Sequence, residues 1–514
     1  MLDERVFDYG YTDKEKKEKG VRSPFQIDRD RIIHSSAFRR MRNKTQVFGV
    51  FTLDYYRTRL THSLEVSQIA RALTSILNKK YGLSLDLDLI EAVSLAHDIG
   101  HPPFGHLGEY IINEELKKAT NRKLGFEANA QNIRILNFLE KKFYDSKNNK
   151  IYGINPSLKT IDGILKYKMP YSLSDKNKHF IYDDDIFILE KIHGKDFINY
   201  LNKYSLFFND KNNKTAKDKF FEFSRCLECQ ILNAADDIAY ATHDIEDGVE
   251  SKLIDIDGRF KVNKYLKESG RFDKNSIDTM AERVDDFFLK LRNIFNITEK
   301  NGFEKLTDSD KDTGKDVKNI KDINYDETAG KYKLKDETMH HIKVKTDLKE
   351  FFSNYISKFI LNIELEDRKN VVKKLKSKSY NFLHDMPLEY GNDSYKYGLI
   401  WKNGVDLEIS ALKQISYRLV MENREILLNR YKAENIVRKL FSVFSDINNI
   451  KLYPDDFQEL YEFGFYDSFG KDKNGNPAFQ VMCADYISGM TDMYAMKLYS
   501  SLFDARSFAD SQHA

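Results

Sequence analysis

Cysteine, proline and glycine are all scarce in this sequence. Three cysteines in 514 residues are too few for a disulfide framework, which excludes a disulfide-stapled domain and fits a reducing compartment. Eight prolines and 24 glycines leave few helix breakers, so the composition favours long helices over many short strands. We therefore expect a mainly α protein.

No charge of one sign prevails. Lys and Arg total 82, Asp and Glu total 80, and the formal net charge is +2, so any anion-binding site must be local. No apolar run approaches the roughly 18 residues of a membrane span, and the N-terminal segment lacks the apolar stretch of a signal peptide. We expect a soluble, cytoplasmic protein without a membrane partner.

Apolar residues recur at helical spacing in several long segments. This spacing predicts helices over residues 61–79, 88–98 and 224–249, the first of them ended by Gly82. Helical patterns resume in the C-terminal region, about residues 348–503.

Two other stretches have a different composition. Residues about 144–218 are dense in Asn, Lys, Asp and Tyr, and residues about 298–346 are strongly charged with few large aliphatics. We interpret both as insertions in a single domain spanning residues 1–514, with the C-terminal helical region packed on the core.

Histidines concentrate at the end of the second predicted helix. His97, His101 and His106 fall within ten residues, beside glycine and proline, which is not a pattern of core packing. His97 and Asp98 offer an imidazole and a carboxylate from adjacent residues, and a divalent ion needs further ligands besides these two. The remaining ligands must come from elsewhere in the chain, and the candidates are His62 and Asp236.

Six segments carry most of the distinctive polar residues. In chain order they are RSPFQIDRDRIIHSSAFRRMRNKTQVF (22–48), RLTHSLEVSQIAR (59–71), AHDIGHPPFGHLGE (96–109), GFEANAQNIRIL (125–136), AADDIAYATHDIEDGV (234–249) and DYISGMTDMYAMKLY (485–499). Together they resemble the successive motifs of HD-domain deoxynucleoside triphosphate triphosphohydrolases, in particular the bacterial dGTPase branch. The resemblance implies an HD-domain helical bundle with elaborating inserts.

The resemblance also implies a metal centre, with His62, His97, Asp98 and Asp236 as ligands. Asp237 is the rival for the last place. We prefer Asp236 because the family's aspartate is followed four residues later by a tyrosine and eight residues later by an aspartate, which Tyr240 and Asp244 match. On a helix Asp237 points about 100° away from that stripe. The mixed nitrogen and oxygen set suits Mg²⁺, Mn²⁺, Fe²⁺, Co²⁺ or Ni²⁺ without choosing between them.

Catalytic and phosphate-binding roles follow from the same resemblance. His106 is the candidate general acid or water-positioning base, with Glu109 able to fix its tautomer. Glu127 is a candidate second carboxylate of this network, or else a residue that only caps or braces the following helix. Arg59 and His101 match positions that face phosphate.

The sugar-binding residues are implied in the same way. Gln46 and Asp244 match residues that hydrogen-bond the 3′ hydroxyl, and Tyr240 matches one that packs against the deoxyribose. A tyrosine ring where a 2′ hydroxyl would project gives a preference for deoxynucleotides, because an unpaired buried hydroxyl costs about 1 to 3 kcal/mol. The basic run over residues 39–44 is either structural or a contact to an effector or to nucleic acid.

The predicted function is metal-dependent hydrolysis of a dNTP, with dGTP the first candidate, to a deoxynucleoside and inorganic triphosphate. One alternative is an HD-family nucleotide phosphohydrolase that forms other products. Another is a nucleotide-sensing or single-stranded DNA-binding protein. The resemblance further implies a dNTP activator and a homo-oligomer, either a hexamer or a tetramer.

Overall fold

The computed structural model describes most of the chain. The described residues are 3–7, 21–46, 57–251, 253–254, 258–295, 323–326, 331–334, 336–375, 380–388, 393–469 and 478–504. The Cα positions divide the chain into two compact units. The first unit comprises Met1–Ala239, Ile363–Trp401 and Arg424–Ala514, and the second comprises Tyr240–Asn362 and Lys402–Asn423.

Helices dominate both units, which confirms the mainly α prediction. In chain order they are α1 (Pro24–His34), α2 (Ser36–Arg40), α3 (Arg59–Tyr81), α4 (Leu87–Ala96), α5 (Gly105–Ala119), α6 (Ala128–Arg134), α7 (Leu158–Ile164), α8 (Ile186–His193), α9 (Lys195–Asn209), α10 (Lys214–Ser224), α11 (Leu227–Glu250), α12 (Arg259–Glu268), α13 (Lys274–Ile294), α14 (Asp336–Leu361), α15 (Arg368–Lys374), α16 (Asn381–Asp385), α17 (Asp393–Lys396), α18 (Val405–Ile415), α19 (Arg424–Phe444), α20 (Asp455–Glu462), α21 (Ala478–Ser488) and α22 (Asp492–Phe503). Short 3₁₀ segments are Met41–Asn43, Tyr171–Leu173, Asp183–Asp185, Lys211–Asn213, Ile447–Leu452 and Phe465–Ser468, and π turns are Ile135–Leu139 and Ser416–Met421.

The described strands form three small antiparallel pairs. They are β1 (Phe143–Asp145) with β2 (Lys150–Tyr152), β3 (Ile323–Asp326) with β4 (Lys331–Leu334), and β5 (Ile363–Asp367) with β6 (Tyr397–Trp401). Their registers pair Phe143 with Tyr152, Ile323 with Leu334, and Ile363 with Trp401.

Local sequence signals explain where α3 begins and ends. The Thr58 side chain accepts a hydrogen bond from the Thr61 amide, and Thr61 returns one to the Thr58 backbone, so the two residues form a capping box. Gly82 follows the helix with φ of 65°, a left-handed conformation that glycine adopts without penalty. The predicted helix over residues 61–79 is therefore confirmed, with one further turn.

Helix α4 lies at the centre of the first unit. The Asp86 side chain caps it by accepting from the Asp88 and Leu89 amides, and seven of its ten residues are buried. It packs against α1, α3 and α7. Because α4 ends at Ala96, His97 and Asp98 emerge from this apolar interior.

The second unit has its own apolar core. Helix α13 packs against α12, α14 and α18, and it buries an apolar stripe of Met280, Val284, Phe287, Phe288 and Leu291. The rings of Phe287 and Phe351 lie 5.5 Å apart. Aromatic pairs of this kind add to the stabilisation that the buried apolar area provides.

The two stretches interpreted as insertions differ in how much of them is described. Residues 144–218 include α7, α8 and α9, and α7 packs against α4. Of residues 298–346, the segment 298–322 lies outside the described residues, whereas β3, β4 and the start of α14 are described. None of the described helices combines the length and the apolar character that crossing a membrane requires.

Candidate metal centre and active site

Four side chains from two helices and from the end of a third meet in the first unit. His62 lies in α3, one turn from its start, His97 and Asp98 directly follow α4, and Asp236 lies in α11. Because α3 and α4 pack together, the rings of His62 and His97 lie 5.6 Å apart. We call these four residues the HD cluster.

The potential ligand atoms of the HD cluster converge on one point. Oδ1 of Asp236 lies 3.2 Å from His62 Nε2 and 3.8 Å from His97 Nε2. His97 Nε2 lies 3.3 Å from Asp98 Oδ1. Ligand atoms of His62, His97 and Asp98 all lie within 4.8 Å of one another. The cluster thus presents two imidazoles and two carboxylates to a shared centre.

The donor set fits a divalent metal ion. Burial lowers the pKa of His97 even though Asp98 and Asp236 lie nearby, so its imidazole is neutral and keeps a lone pair to donate. Its Nε2 atom is buried and has no hydrogen-bond partner among the described residues. A buried nitrogen without a partner is costly, and coordination of a metal ion would satisfy it.

Both carboxylates of the HD cluster are held in the ionised form. Burial opposes ionisation of Asp98, but the neighbouring His101 and Arg59 contribute to a pKa well below the usual range. Burial opposes ionisation of Asp236 as well, and there the charge of Lys166 outweighs it and keeps the pKa far below normal. Ionised carboxylates are the form that binds a cation.

A hydrogen bond outside the cluster orients His97. Its Nδ1 donates to the backbone carbonyl of Ser94 at 2.7 Å. This bond selects the tautomer in which the proton sits on Nδ1 and the lone pair on Nε2. Such support of a ligating histidine by a carbonyl is general in metal sites.

Two cations flank the cluster, and the sequence had pointed to only one of them. Arg59 Nη1 donates to Asp98 Oδ2 at 2.7 Å, in a pair with both side chains buried. Lys166 Nζ donates to Asp236 Oδ2 at 2.9 Å. Although burial opposes its charge, Asp236 raises the pKa of Lys166, so the ammonium is retained.

Lys166 lies in the stretch interpreted as an insertion, whose composition does not indicate a functional site. The only available signal was local. In the segment from Leu165 to Met169, lysines alternate with large apolar residues, a pattern unlike that of a solvated loop. The next lysine, Lys168, is itself fully buried.

The position of Arg59 depends on Gly105, the first residue of α5. Gly105 has φ of 60°, and a Cβ atom built there would lie 2.7 Å from Arg59 Nη2. Any side chain at this position would therefore displace the guanidinium as well as strain the backbone. The glycine leaves Arg59 room beside Asp98.

His106 and Glu109 form a pair at the start of α5. His106 Nδ1 lies 2.9 Å from Glu109 Oε2, and the His106 side chain is 74% exposed. Glu109 Oε1 accepts from the Ala128 amide at 2.8 Å, which fixes the carboxylate. Burial opposes ionisation of Glu109, but the hydrogen bond to His106 and the histidine's charge lower its pKa to about 2. The pair thus presents an accessible imidazole on an ordered carboxylate.

Glu127 occupies the N-cap of α6. Its carboxylate accepts from the Ala130 amide at 2.9 Å and from Asn129 Nδ2 at 2.8 Å. These contacts match the helix-capping role that the sequence left open. Burial, together with the charge of Glu109, raises the pKa of Glu127 to about 8. Glu127 is therefore an electrostatic neighbour of the His106 and Glu109 pair as well as a cap.

His101 lies between the HD cluster and His106. Its Nδ1 is 3.1 Å from Asp98 Oδ1, and its ring centroid is 5.0 Å from that of His106. Burial and the charge of Arg59 lower the pKa of His101 to about 4, so the ring is neutral. A neutral His101 can donate a hydrogen bond without adding charge.

The predicted sugar-binding residues lie in two parts of the chain. Gln46 follows Thr45, which forms a β-bridge with Thr58 at the start of α3, and Gln46 Oε1 is buried without a hydrogen-bond partner among the described residues. Tyr240 and Asp244 follow Asp236 on α11, by one and two helical turns. Both of them belong to the second unit.

The basic run over residues 39–44 divides into two kinds of residue. Lys44 is buried and donates to the carbonyl oxygens of His101 and, at 2.9 Å, Ser488. This geometry fits the structural alternative. Arg39 is exposed and donates to the His34 carbonyl, so it is accessible to a partner.

Two family models match parts of the chain, and curated proteins match nearly its whole length. The HD domain model matches residues 59–151 and the phosphohydrolase-associated domain model matches residues 399–501. The chain is 31% identical to a deoxyguanosinetriphosphate triphosphohydrolase-like protein of Shewanella halifaxensis, over 95% of this chain and 93% of that protein. It is also 31% identical to the protein of the same description from Shewanella sediminis, over 96% and 95% of the two chains.

Proposed function

Since the chain belongs to the family of deoxyguanosinetriphosphate triphosphohydrolase-like HD proteins, we propose that it hydrolyses a dNTP, first of all dGTP, to the deoxynucleoside and inorganic triphosphate. The observation that carries the proposal is the HD cluster with its flanking cations. The cluster contributes two carboxylates, which Arg59 and Lys166 already balance. A divalent ion there gives a net charge of +2, which suits a triphosphate with about four negative charges.

His62, His97, Asp98 and Asp236 would hold the metal ion. When bound, such an ion supplies Lewis-acid polarisation of a phosphoryl oxygen and of the attacking water. The chain's own residues bind and orient the substrate. Arg59 and Lys166 bind and orient the phosphates, and neutral His101 adds a hydrogen bond without raising the local charge further.

The chemical step needs a proton donor for a poor leaving group. Water adds its oxygen to the α-phosphorus, the bond from the α-phosphorus to the 5′ oxygen breaks, and a proton must reach the departing oxygen. We assign this proton to His106, whose imidazole is exposed to an incoming substrate and held by Glu109. Glu127, whose pKa is raised to about 8, stays protonated beside this pair and so adds no second negative charge to it.

Recognition of the sugar is assigned to Gln46, Tyr240 and Asp244. Gln46 and Asp244 bind the 3′ hydroxyl, and the Tyr240 ring occupies the space of a 2′ hydroxyl. The buried, unpartnered Oε1 of Gln46 supports this assignment, because a hydroxyl donor would satisfy it. A ribonucleotide should accordingly be a poor substrate.

Higher-order properties are proposed from the family alone. We expect a cytoplasmic homo-oligomer, a tetramer or hexamer, with Mg²⁺, Mn²⁺ or a related ion, and a second dNTP as activator. Exposed Arg39 is the candidate for a contact to single-stranded DNA. Light scattering and assays of mixed dNTPs test these points separately from the chemistry.

The experiment incubates the full chain with each of the four dNTPs, singly and mixed, with Mg²⁺ or Mn²⁺, and separates the products. GTP serves as the matched ribonucleotide control. Deoxynucleoside with intact triphosphate is the expected result. Release of a monophosphate, or no product even from the mixture, would contradict the proposal and favour another phosphohydrolase or a sensor.

A further inference from the structure

The turn that carries two of the proposed ligands is bridged by one buried side chain. Asn132 lies in α6 and is completely buried. Its Nδ2 donates to the backbone carbonyl of His97 at 2.5 Å, and its Oδ1 accepts from the Gly100 amide at 2.6 Å. A single amide group thus joins both ends of the turn over residues 97–100.

The turn's own hydrogen bonds are long by comparison. The Ile99 amide reaches the Ala96 carbonyl at 3.4 Å, and the His101 amide reaches the Asp98 carbonyl at 3.2 Å. Typical N–H to O distances are about 2.9 to 3.0 Å. The hydrogen bonds within the turn are therefore weak, and the two hydrogen bonds to Asn132 are shorter than either of them.

Gly100 brings the turn directly onto the α6 backbone. A Cβ atom built at Gly100 would lie 2.3 Å from the Ala128 carbonyl oxygen and 2.5 Å from the Asn132 amide nitrogen. Only glycine permits this approach, and the approach is what places Asn132 within reach of both hydrogen bonds. The path of the turn is thus determined by its contact with α6.

We propose that Asn132 is a positioning residue that sets the metal affinity of the HD cluster by fixing the turn over residues 97–100. The inference rests on the proposed metal centre. Asn132 touches neither metal nor substrate, and it acts through the backbone on His97 and Asp98. Loss of an outer-shell partner typically weakens metal binding about 10- to 100-fold.

Gln131 offers a matched control on the same helix. It is also completely buried, and its side chain makes comparable hydrogen bonds. Its Nε2 donates to Asp485 Oδ1 at 2.8 Å and its Oε1 accepts from the Tyr182 hydroxyl at 2.9 Å. Truncating Gln131 therefore removes similar interactions from α6 without touching the turn.

The test is calorimetric titration of the metal-free full chain with Mn²⁺ alone, alongside denaturant unfolding. Wild type, Asn132→Ala, Gln131→Ala and His62→Ala are compared. Asn132→Ala should weaken Mn²⁺ binding about 10- to 100-fold, Gln131→Ala should leave it unchanged at a similar loss of stability, and His62→Ala should abolish it. Wild-type affinity in Asn132→Ala, or an equal loss in Gln131→Ala, would overturn the inference.

The experiment distinguishes failure of the proposed metal centre from failure of the role proposed for Asn132. Wild-type protein that binds no Mn²⁺ would overturn the metal centre and with it the role of Asn132. Wild-type protein that binds Mn²⁺ as tightly as Asn132→Ala would overturn only the role of Asn132. If Asn132→Ala does not fold, Asn132→Ser takes its place, because its hydroxyl can pair locally but is too short to bridge His97 and Gly100; wild-type affinity in that variant would equally overturn the inference.

Discussion

Two polar clusters in the first unit differ in how their buried charged groups are paired. In one, the Lys168 ammonium donates three hydrogen bonds to protein atoms. The acceptors are Asp162, the Ser224 carbonyl at 2.7 Å and the Tyr395 hydroxyl at 2.7 Å. Tyr395 in turn donates to Asp162 Oδ2 at 2.6 Å. In this closed cluster the ammonium, the carboxylate and the phenol all bind one another or the backbone.

The HD cluster, in contrast, is open. Its carboxylates have Arg59 and Lys166 as partners, yet His97 Nε2 is buried and has no hydrogen-bond partner within the described part of the chain. Both clusters carry balanced charge, so charge alone does not separate a structural site from a functional one. The set of ligating groups does, because the HD cluster brings two imidazoles and two carboxylates together, whereas the imidazole beside Asp162 is that of His193, with its Nε2 atom 3.8 Å from Oδ1.

The largest effect should come from removing a ligand of the open cluster. We expect His62→Ala or Asp98→Ala to reduce turnover on the order of 10³-fold or more, comparable to the loss of a main transition-state contact, and to lower the metal content. Metal analysis of the purified protein together with a triphosphate-release assay checks this. Normal turnover in His62→Ala would contradict the assignment of the HD cluster as the metal centre.

Removing the central cation of the closed cluster should lower the stability of the fold and leave metal binding unchanged. Lys168→Met leaves the Asp162 carboxylate buried without its cation, which typically costs about 3 to 5 kcal/mol in the free energy of unfolding. Metal content should stay at the wild-type level. Denaturant unfolding and metal analysis test both halves, and a folded Lys168→Met protein without metal would break the distinction between the clusters.

Substitution of His106 tests whether this residue is a metal ligand or a catalytic group outside the HD cluster. Because it contacts Glu109 and not the four ligands, we expect His106→Ala to retain the metal ion and to lower kcat about 10²- to 10⁴-fold, the usual contribution of a general acid. Glu109→Gln should lower kcat less, since it weakens only the orientation of the ring. Loss of metal from His106→Ala would instead place this histidine among the ligands.

The smallest effect concerns a buried carboxylate that belongs to neither cluster. Both oxygens of Asp185 lack a hydrogen-bond partner among the described residues, and burial raises its pKa to about 7, Arg134 notwithstanding. The unfolded chain releases this proton near pH 4, so the contribution of Asp185 to folding stability is greatest below about pH 4 and declines as pH rises to about 7. Asp185→Asn should flatten this decline in unfolding curves measured across that range, whereas an unchanged decline would exclude Asp185 as its cause.

Much of this arrangement was predictable because its signals are local. The periodicity of α3 and its stop at Gly82, the breaker-rich loop after α4 and the stripe of Asp236, Tyr240 and Asp244 are all readable in the sequence. Apolar residues at helical spacing predict a helix from neighbouring positions alone. The family motifs then assigned chemistry to these positions.

The remaining features depend on long-range contacts, which no spacing encodes. Lys166 reaches Asp236 across 70 positions, and Asn132 reaches His97 across 35. Glu127 sits in a recognisable motif, yet its capping contacts and its raised pKa follow from burial beside Glu109. Residues of this kind become visible only when the fold has brought them together.

The most direct test of the central claim is to restore Mn²⁺ stepwise to the metal-free wild-type chain, and to measure bound metal per chain and triphosphate released from dGTP in the same samples. If the HD cluster is the metal centre of a triphosphohydrolase, release of intact triphosphate should rise in proportion to occupancy and level off at one ion per chain. Release that ignores occupancy, or products that contain dGMP in place of deoxyguanosine, would contradict it.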